Sequence, residues 1–501
     1  MELAKRNRWA FSLGTVGRDM VYSLFTLYLM AYIMYTKSLD NAQYAAISMI
    51  FVGCRVFDAL IDPFIGGMVD RTRSRFGKFK PWIFAGMIGA AIDVVLVFTL
   101  PVYGWAFVGF IAVGYVMFSI TYSLNDISYW GMLPALSSRP DERNRLVSLS
   151  NICAGAGAAP IVTLVPIITA GQYTLGGSAI KAYAVCAVVS VVCMVGFQCI
   201  TLVGVKGTAA EAPAEEDDSE KIGFKQTVKT LLGNGQLMCT SVVLLLQGII
   251  SGIFSAGMSM AYIYLVYGYN GMLFTLSLFG GVSTVFVVFL LPQILARISR
   301  KRFFFLSVVA LGVGAVVMLI SGFMPKDPWL PSFIVFSASS LFTTAGSTAM
   351  YQIMFIDIAN TVEYNQWKTG RRSEALIFSM RPLMTQMASA FTQLINMIVF
   401  LALGISNLNR GISELENAAD QLLISGEEKL AGIQAIIGAV PQGKAFILLL
   451  CLVILPVVIG LGAYLLYKKY FILDEKKYGE ILADLEAGKT QQTPQESALA
   501  V

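Results

Sequence analysis

Four acidic residues stand where an otherwise apolar chain has least use for charge. Asp58 and Asp62 are four residues apart in GCRVFDALIDPF. A helix would project both from one face, about 5–6 Å apart at Cβ. Two carboxylates that close in a low dielectric do not both stay charged and unpaired: one takes a proton, or a cation sits between them. A hard ion such as Na⁺ needs several oxygens, which the pair plus the hydroxyl of Ser123 or Thr121 would supply. Asp19, in TVGRDMVYSL, and Asp126, in YSLNDISYWG, suit another task, accepting paired hydroxyls of a neutral polar ligand. Trp130, one turn after Asp126, and Tyr122 and Tyr129 offer flat faces for its C–H surfaces. The competing explanation is a set of internal ion pairs, since Arg55 lies three residues before Asp58 and Arg18 adjoins Asp19. Asp93 and Arg381 fit a structural and a functional role equally well.

These side chains need elements that cross a membrane. Of 501 residues, 56% are hydrophobic and 13% charged, where a soluble domain carries roughly 25% charge. A bilayer core takes about 20 apolar residues per helix. Stretches of that length fall near 9–35, 42–69, 81–101, 104–136, 147–171, 181–204, 237–268, 272–297, 303–323, 330–359, 375–405 and 439–467. The first is too long for the apolar core of a signal peptide and is read as a span. Asp19 then lies ten residues in, about 15 Å deep. An ionisable group there costs roughly 2.5–3.5 kcal/mol on insertion scales and normally faces a cavity or pathway.

Basic residues alternate between the connecting loops. One set holds Arg71, Arg73, Arg75, Lys78 and Lys80, then Arg139, Arg143 and Arg145, then Arg297, Arg300, Lys301 and Arg302, then Lys368, Arg371 and Arg372. The other set is nearly bare, with Lys37, Lys181 and Lys326 standing alone in its short loops. The positive-inside rule puts the first set and both termini in the cytoplasm, in a cell (inner or plasma) membrane. No histidine occurs, which excludes imidazole metal sites, Ser-His-Asp and Cys-His catalysis and histidine proton relays. With no HExxH, GxSxG or Walker sequence either, an enzyme is not expected. The seven cysteines sit mostly in apolar stretches without CxxC spacing, as membrane-buried thiols do.

The organisation reads as an N-terminal six-helix bundle at 1–205, a polar acidic linker at 206–230, a C-terminal bundle at 231–470 and a mobile cytoplasmic tail at 471–501. RTRSRFGKFK after the second span is echoed by ARISRKRFFF after the eighth, a parallel repeat that points to the major facilitator architecture. Residues 406–438 read as a short amphipathic helix on the outer face.

The motifs GRD at 17–19, RVFDALIDP at 55–63, RSRFGKFKPW at 73–82, YSLNDISYW at 122–130 and EYNQWKTGRRSEA at 363–375 run in order through both halves. In them the chain resembles the glycoside–pentoside–hexuronide:cation symporters, the melibiose-permease-like branch of the major facilitator superfamily. The twelve apolar stretches already read as an all-α integral membrane protein of twelve transmembrane helices, two six-helix bundles of the major facilitator fold. The resemblance implies that Asp58 and Asp62 bind the coupling cation, H⁺ or Na⁺, with Ser123 as a third ligand. They would be the metal ligands if the ion is Na⁺. It further implies that Asp19 and Asp126 hold sugar hydroxyls, that Arg18 supports them, that Trp130 lines the pocket, and that Arg73, Arg75, Lys78 and Lys80 belong to a cytoplasmic gating loop.

Three positions depart from the family pattern. Ile61 stands where an Asn often precedes the second Asp, and supplies no oxygen, which tilts the ion towards H⁺. Asn151 replaces an Arg on the fifth span and Gln386 a Lys on the eleventh, so sugar specificity does not carry over. The expected partners are a small sugar or glycoside, a monovalent cation and membrane lipid, with no nucleic acid and no cofactor, in a protein working as a monomer. The alternative is an exporter or uniporter of the same fold for another small polar solute.

Overall fold

A computed structural model describes residues 2–136, 140–206, 233–255, 257–370 and 377–487. Among these the secondary structure is helical throughout. The helices are α1 (Glu2–Ser23), α2 (Leu29–Thr36), α3 (Asn41–Asp70), α4 (Lys80–Thr99), α5 (Gly104–Gly131), α6 (Leu133–Leu136), α7 (Pro140–Thr169) and α8 (Ala179–Gly204). Then come α9 (Gly235–Ile253), α10 (Met258–Tyr267), α11 (Gly271–Ser277), α12 (Gly281–Leu295), α13 (Arg300–Phe323), α14 (Trp329–Thr369) and α15 (Met380–Leu403). The last are α16 (Ile405–Asp420), α17 (Gly426–Gly438), α18 (Gln442–Tyr470) and α19 (Glu475–Glu486).

Eleven segments of the described residues are long and apolar enough to cross a membrane. The expected first span at 9–35 is covered by α1 and α2, which a π-helical turn, Leu24–Tyr28, joins. Most of the expected linker at 206–230, together with Arg139, Arg371 and Arg372, lies outside the described residues, as does the chain beyond 487.

Two compact units form. The first gathers the described residues of Met1–Asp217 with Ser259–Thr275 and Gln393–Lys444. The second gathers those of Asp218–Met258, Leu276–Thr392 and Ala445–Val501.

In the first unit α1 is clasped by α7 and α8 through glycine. A Cβ at Gly17 would overlap the backbone of Cys193 and Met194, and one at Gly157 would overlap the Val16 carbonyl. Membrane helices approach this closely where a side chain is missing, because dispersion between backbones replaces the hydrophobic drive. Polar pairs fix the register between the helices. Asn125 and Gln198 exchange two amide hydrogen bonds of 2.8 Å, and the Thr201 hydroxyl donates to the Ala10 carbonyl at 2.7 Å. In the second unit buried Arg300 of α13 pairs with Asp357 of α14, which also accepts from Tyr467 of α18 at 2.6 Å.

Three expectations need correction. The outer segment at 406–438 is two helices, because Leu422 takes a left-handed φ of 61° and Ser425 opens α17 with a capping box to Glu428. The segment is bonded to the first unit. Glu416 accepts from the Ala179 amide at 2.7 Å, and the Lys429 amine donates to Glu416 at 3.2 Å and to the Gly177 carbonyl at 2.9 Å. The tail expected to be mobile carries α19, which buries Ile481 and offers Asp484 to the Trp367 indole at 3.2 Å. The tenth span, expected to stop near 359, continues as one helix to Thr369.

Candidate functional site

Arg18 is the centre of the polar cluster inside the first unit. It is 3% exposed, too little for a guanidinium to be solvated by water alone. Its Nη2 donates to Asp19 at 2.9 Å, and its Nη1 lies 2.9 Å from Asp126, so one cation on α1 holds two carboxylates from α1 and α5. The guanidinium also lies over Tyr129 and Trp130, at 5.0 and 5.1 Å from the ring centroids. The Tyr129 hydroxyl donates to the Phe11 carbonyl, which anchors that ring, while Tyr122 stacks on Tyr22 of α1 at 5.1 Å. Asp126 remains 39% exposed and Asp19 21% exposed at their side chains, so both keep oxygen surface open to a ligand.

The second cluster joins α3 to α5. The Ser123 hydroxyl donates to Asp62 at 2.7 Å. Asp58, four residues earlier on the same helix, lies 3.8 Å from Arg55 and keeps its Oδ1 buried with no hydrogen-bond partner. A buried carboxylate oxygen left bare is expensive unless a proton or ion meets it. Ser119 lies beside the Asp58 carboxyl and one turn before Ser123, so two hydroxyls of α5 face the two acids of α3. Asp58, Asp62, Ser119 and Ser123 offer oxygens, which suit H⁺ or a hard monovalent cation, while Arg55 already sets one positive charge beside Asp58.

Asp19, Arg18, Asp126, Trp130 and Tyr122 thus come together, and so do Asp62 and Ser123 with Asp58 on the same helix. Asn151 lies exposed on α7. Gln386 belongs to the second unit, where its Oε1 is buried without a partner. Asp93 is buried on α4 with an unpartnered Oδ2. Arg381 donates through Nε to the Tyr351 hydroxyl at 2.9 Å and packs over Tyr351 and Phe355. In the basic loop Lys80 donates to the Val205 carbonyl at 2.8 Å, Arg75 and Lys78 pack over Phe76 and Phe79, and Arg73 is exposed. Sequence reasoning missed Ser119 and Tyr22. The signal for Ser119 was its i, i+4 spacing from Ser123, and for Tyr22 its place one turn after Arg18.

Paired acids, two arginines, aromatic faces and hydroxyls inside a bundle of apolar helices suit the binding of a small polar solute. Comparison with known proteins agrees. Residues 10–474 match the family described as MFS/sugar transport protein, and the chain belongs to that family. It is a multi-pass major facilitator transporter and not an enzyme. A lactose permease of Lactobacillus delbrueckii subsp. bulgaricus is 26% identical over 515 residues, covering 99% of this chain and 74% of that protein. The raffinose carrier protein of Pediococcus pentosaceus is 24% identical, covering 96% of this chain and 71% of that one. A solved bacterial homologue of the human lysosomal transporter Spinster, inward-facing and occupied, matches with a TM-score of 0.60. It covers 94% of this chain and 97% of that one at 13% identity, a likeness of fold alone.

Proposed function

We propose that the protein is a cation-coupled sugar symporter working by alternating access. Asp58 and Asp62, with Ser123 and Ser119, receive the cation; Asp19 and Asp126, set by Arg18, receive sugar hydroxyls over Trp130 and Tyr122. Asn151 and Gln386 are further candidates for sugar contacts. The observation that carries this reading is α5 itself: Ser123, bonded to Asp62, lies three residues before Asp126, bonded to Arg18. Ion and sugar sites therefore share one rigid helix. Cation binding neutralises the carboxylate pair and shifts α5 electrostatically, and only such a difference in affinity between states couples two fluxes.

The names of the lactose and raffinose relatives support a sugar as cargo. The loop charges support a plasma-membrane protein with both termini in the cytoplasm and the basic loop 73–80 as a gate on that side. No cofactor enters the cycle, and one chain suffices for it.

The test is accumulation of labelled glycosides in proteoliposomes under imposed Na⁺ or H⁺ gradients. Asp58→Asn and Asp62→Asn should abolish gradient-driven accumulation while leaving sugar binding measurable. Unchanged accumulation would overturn the coupling role, and uptake independent of any gradient would favour a uniporter.

A further inference from the structure

The second unit carries a groove remote in sequence from the acidic clusters. It runs between α13 and α18, measures about 890 Å³, and is walled by apolar side chains of residues 305–319 and 453–465. Residues 305 to 319 rise about 21 Å, somewhat more than one leaflet of hydrocarbon at about 15 Å. The two helices run antiparallel: Phe304 stacks on Tyr467 at 4.6 Å, and Phe323 meets Phe446 at 5.3 Å. Gly312 lies along the groove with nothing within 4 Å of where its Cβ would be.

One end of the groove is basic. On α13, Arg302 precedes Phe305, Val309 and Val316 by three, seven and fourteen residues, which is one helix face. On α18, Lys468 follows Tyr464, Leu461 and Ile454 by four, seven and fourteen residues, again one face. Phe305 and Tyr464 face each other across the groove at 5.3 Å, which puts Arg302 and Lys468 at the same end of opposite walls. Both cations are exposed, and neither has a carboxylate partner among the described residues.

We propose that this groove holds one phospholipid with an anionic headgroup, an acyl chain lying along α13 and α18 and the phosphate between Arg302 and Lys468. An apolar trough explains the chain, and two cations with no carboxylate partner among the described residues, Lys468 lying 6.0 Å from the Tyr464 ring, explain the sign of the headgroup, since a choline would add a third positive charge there. The site is independent of the sugar reading.

The experiment is lipid retention by the full-length protein in detergent, counted by native mass spectrometry during titration with phosphatidylglycerol or phosphatidylcholine of identical chains. Phosphatidylglycerol should be retained at least fivefold more strongly by the wild type. Arg302→Gln with Lys468→Gln should bring that ratio close to one, and Gly312→Leu, which fills open space, should weaken retention of both lipids. Equal retention by the wild type, or a preference that survives the double charge substitution, overturns the proposal. So does displacement by inorganic phosphate alone, which marks a simple anion site. A dimer of the wild type that Gly312→Leu dissociates overturns it in favour of a second copy of the chain.

Discussion

Ser123 donates its hydroxyl proton to Asp62 at 2.7 Å, tying α5 to α3 three residues before Asp126. A hydrogen bond to a charged group contributes about 1.5–3 kcal/mol, and about 1.4 kcal/mol is tenfold in affinity. Ser123→Ala should therefore weaken the cation dependence of sugar uptake about tenfold, while Ser123→Thr, which keeps the hydroxyl, should retain it. Uptake measured against cation concentration in proteoliposomes decides this; equal half-saturation in Ser123→Ala and wild type would remove Ser123 from the ion site.

Arg18 compensates two acids at once, and its planar fork cannot be copied by an ammonium. Arg18→Lys should reduce sugar affinity at least tenfold, about 1.4 kcal/mol, and Arg18→Gln should abolish binding by leaving Asp19 and Asp126 to repel each other. Isothermal titration with a bound glycoside reads both. Restoration of binding in Arg18→Gln by Asp126→Asn would locate the loss in that repulsion.

Glycine contacts set a sharp contrast within one bundle. At Gly17 a methyl group meets backbone, which cannot move aside, whereas nothing lies within 4 Å of a Cβ at Gly109. Gly17→Ala should cost several degrees of melting temperature or prevent purification, and Gly109→Ala should leave stability unchanged or slightly raised. Thermal unfolding by intrinsic fluorescence is the measurement.

Glu416 and Lys429, both 1% exposed or less, form a buried pair that clamps the outer segment to the start of α8. Breaking one side of such a pair costs about 3–5 kcal/mol, and removing both costs less. Lys429→Met should raise hydrogen exchange across 405–438, and Glu416→Gln with Lys429→Met should partly restore protection. Protection unchanged in the single variant would show that the segment is held by other bonds.

Lys37, in the loop after α2, is buried against Tyr32, Tyr103 and Phe107, and burial lowers its pKa to about 8. Below that pH the folded protein carries the cost of a desolvated ammonium. As pH rises from about 8 towards the ordinary lysine value of about 10.4, the unfolded chain binds the extra proton and stability rises. The melting temperature of the wild type relative to Lys37→Met should climb across that window and stay flat below it. A flat difference throughout would mean that Lys37 titrates normally.

Helix lengths were legible because bilayer thickness imposes them on composition, as α4 and α8 show by matching their apolar stretches almost end to end. The acids were legible for the same reason, since Asp58 and Asp62 are conspicuous only against lipid. The π turn at Leu24–Tyr28 left no mark in the sequence, because its register is decided by how Phe25 packs on Phe118 at 3.6 Å and how Tyr28 reaches the Val162 carbonyl. Ser119 reads as filler in an apolar helix until α3 is placed opposite it. The break between α16 and α17 is written in SGEE, a capping box at Ser425 and Glu428 that LLI just before it masks by continuing the apolar pattern. Helix α19 was hidden differently: its amphipathic charges resemble a solvated tail until a buried pocket for Ile481 exists.

The seams at Gly17 and Gly157 have a bearing on how this protein adapts to new cargo. With backbone against backbone on two sides, the stretch bearing Arg18 and Asp19 has no slack, so it behaves as a fixed ruler against which a solute is measured. A change of solute would then be met by side chains elsewhere in the site rather than by movement of that stretch.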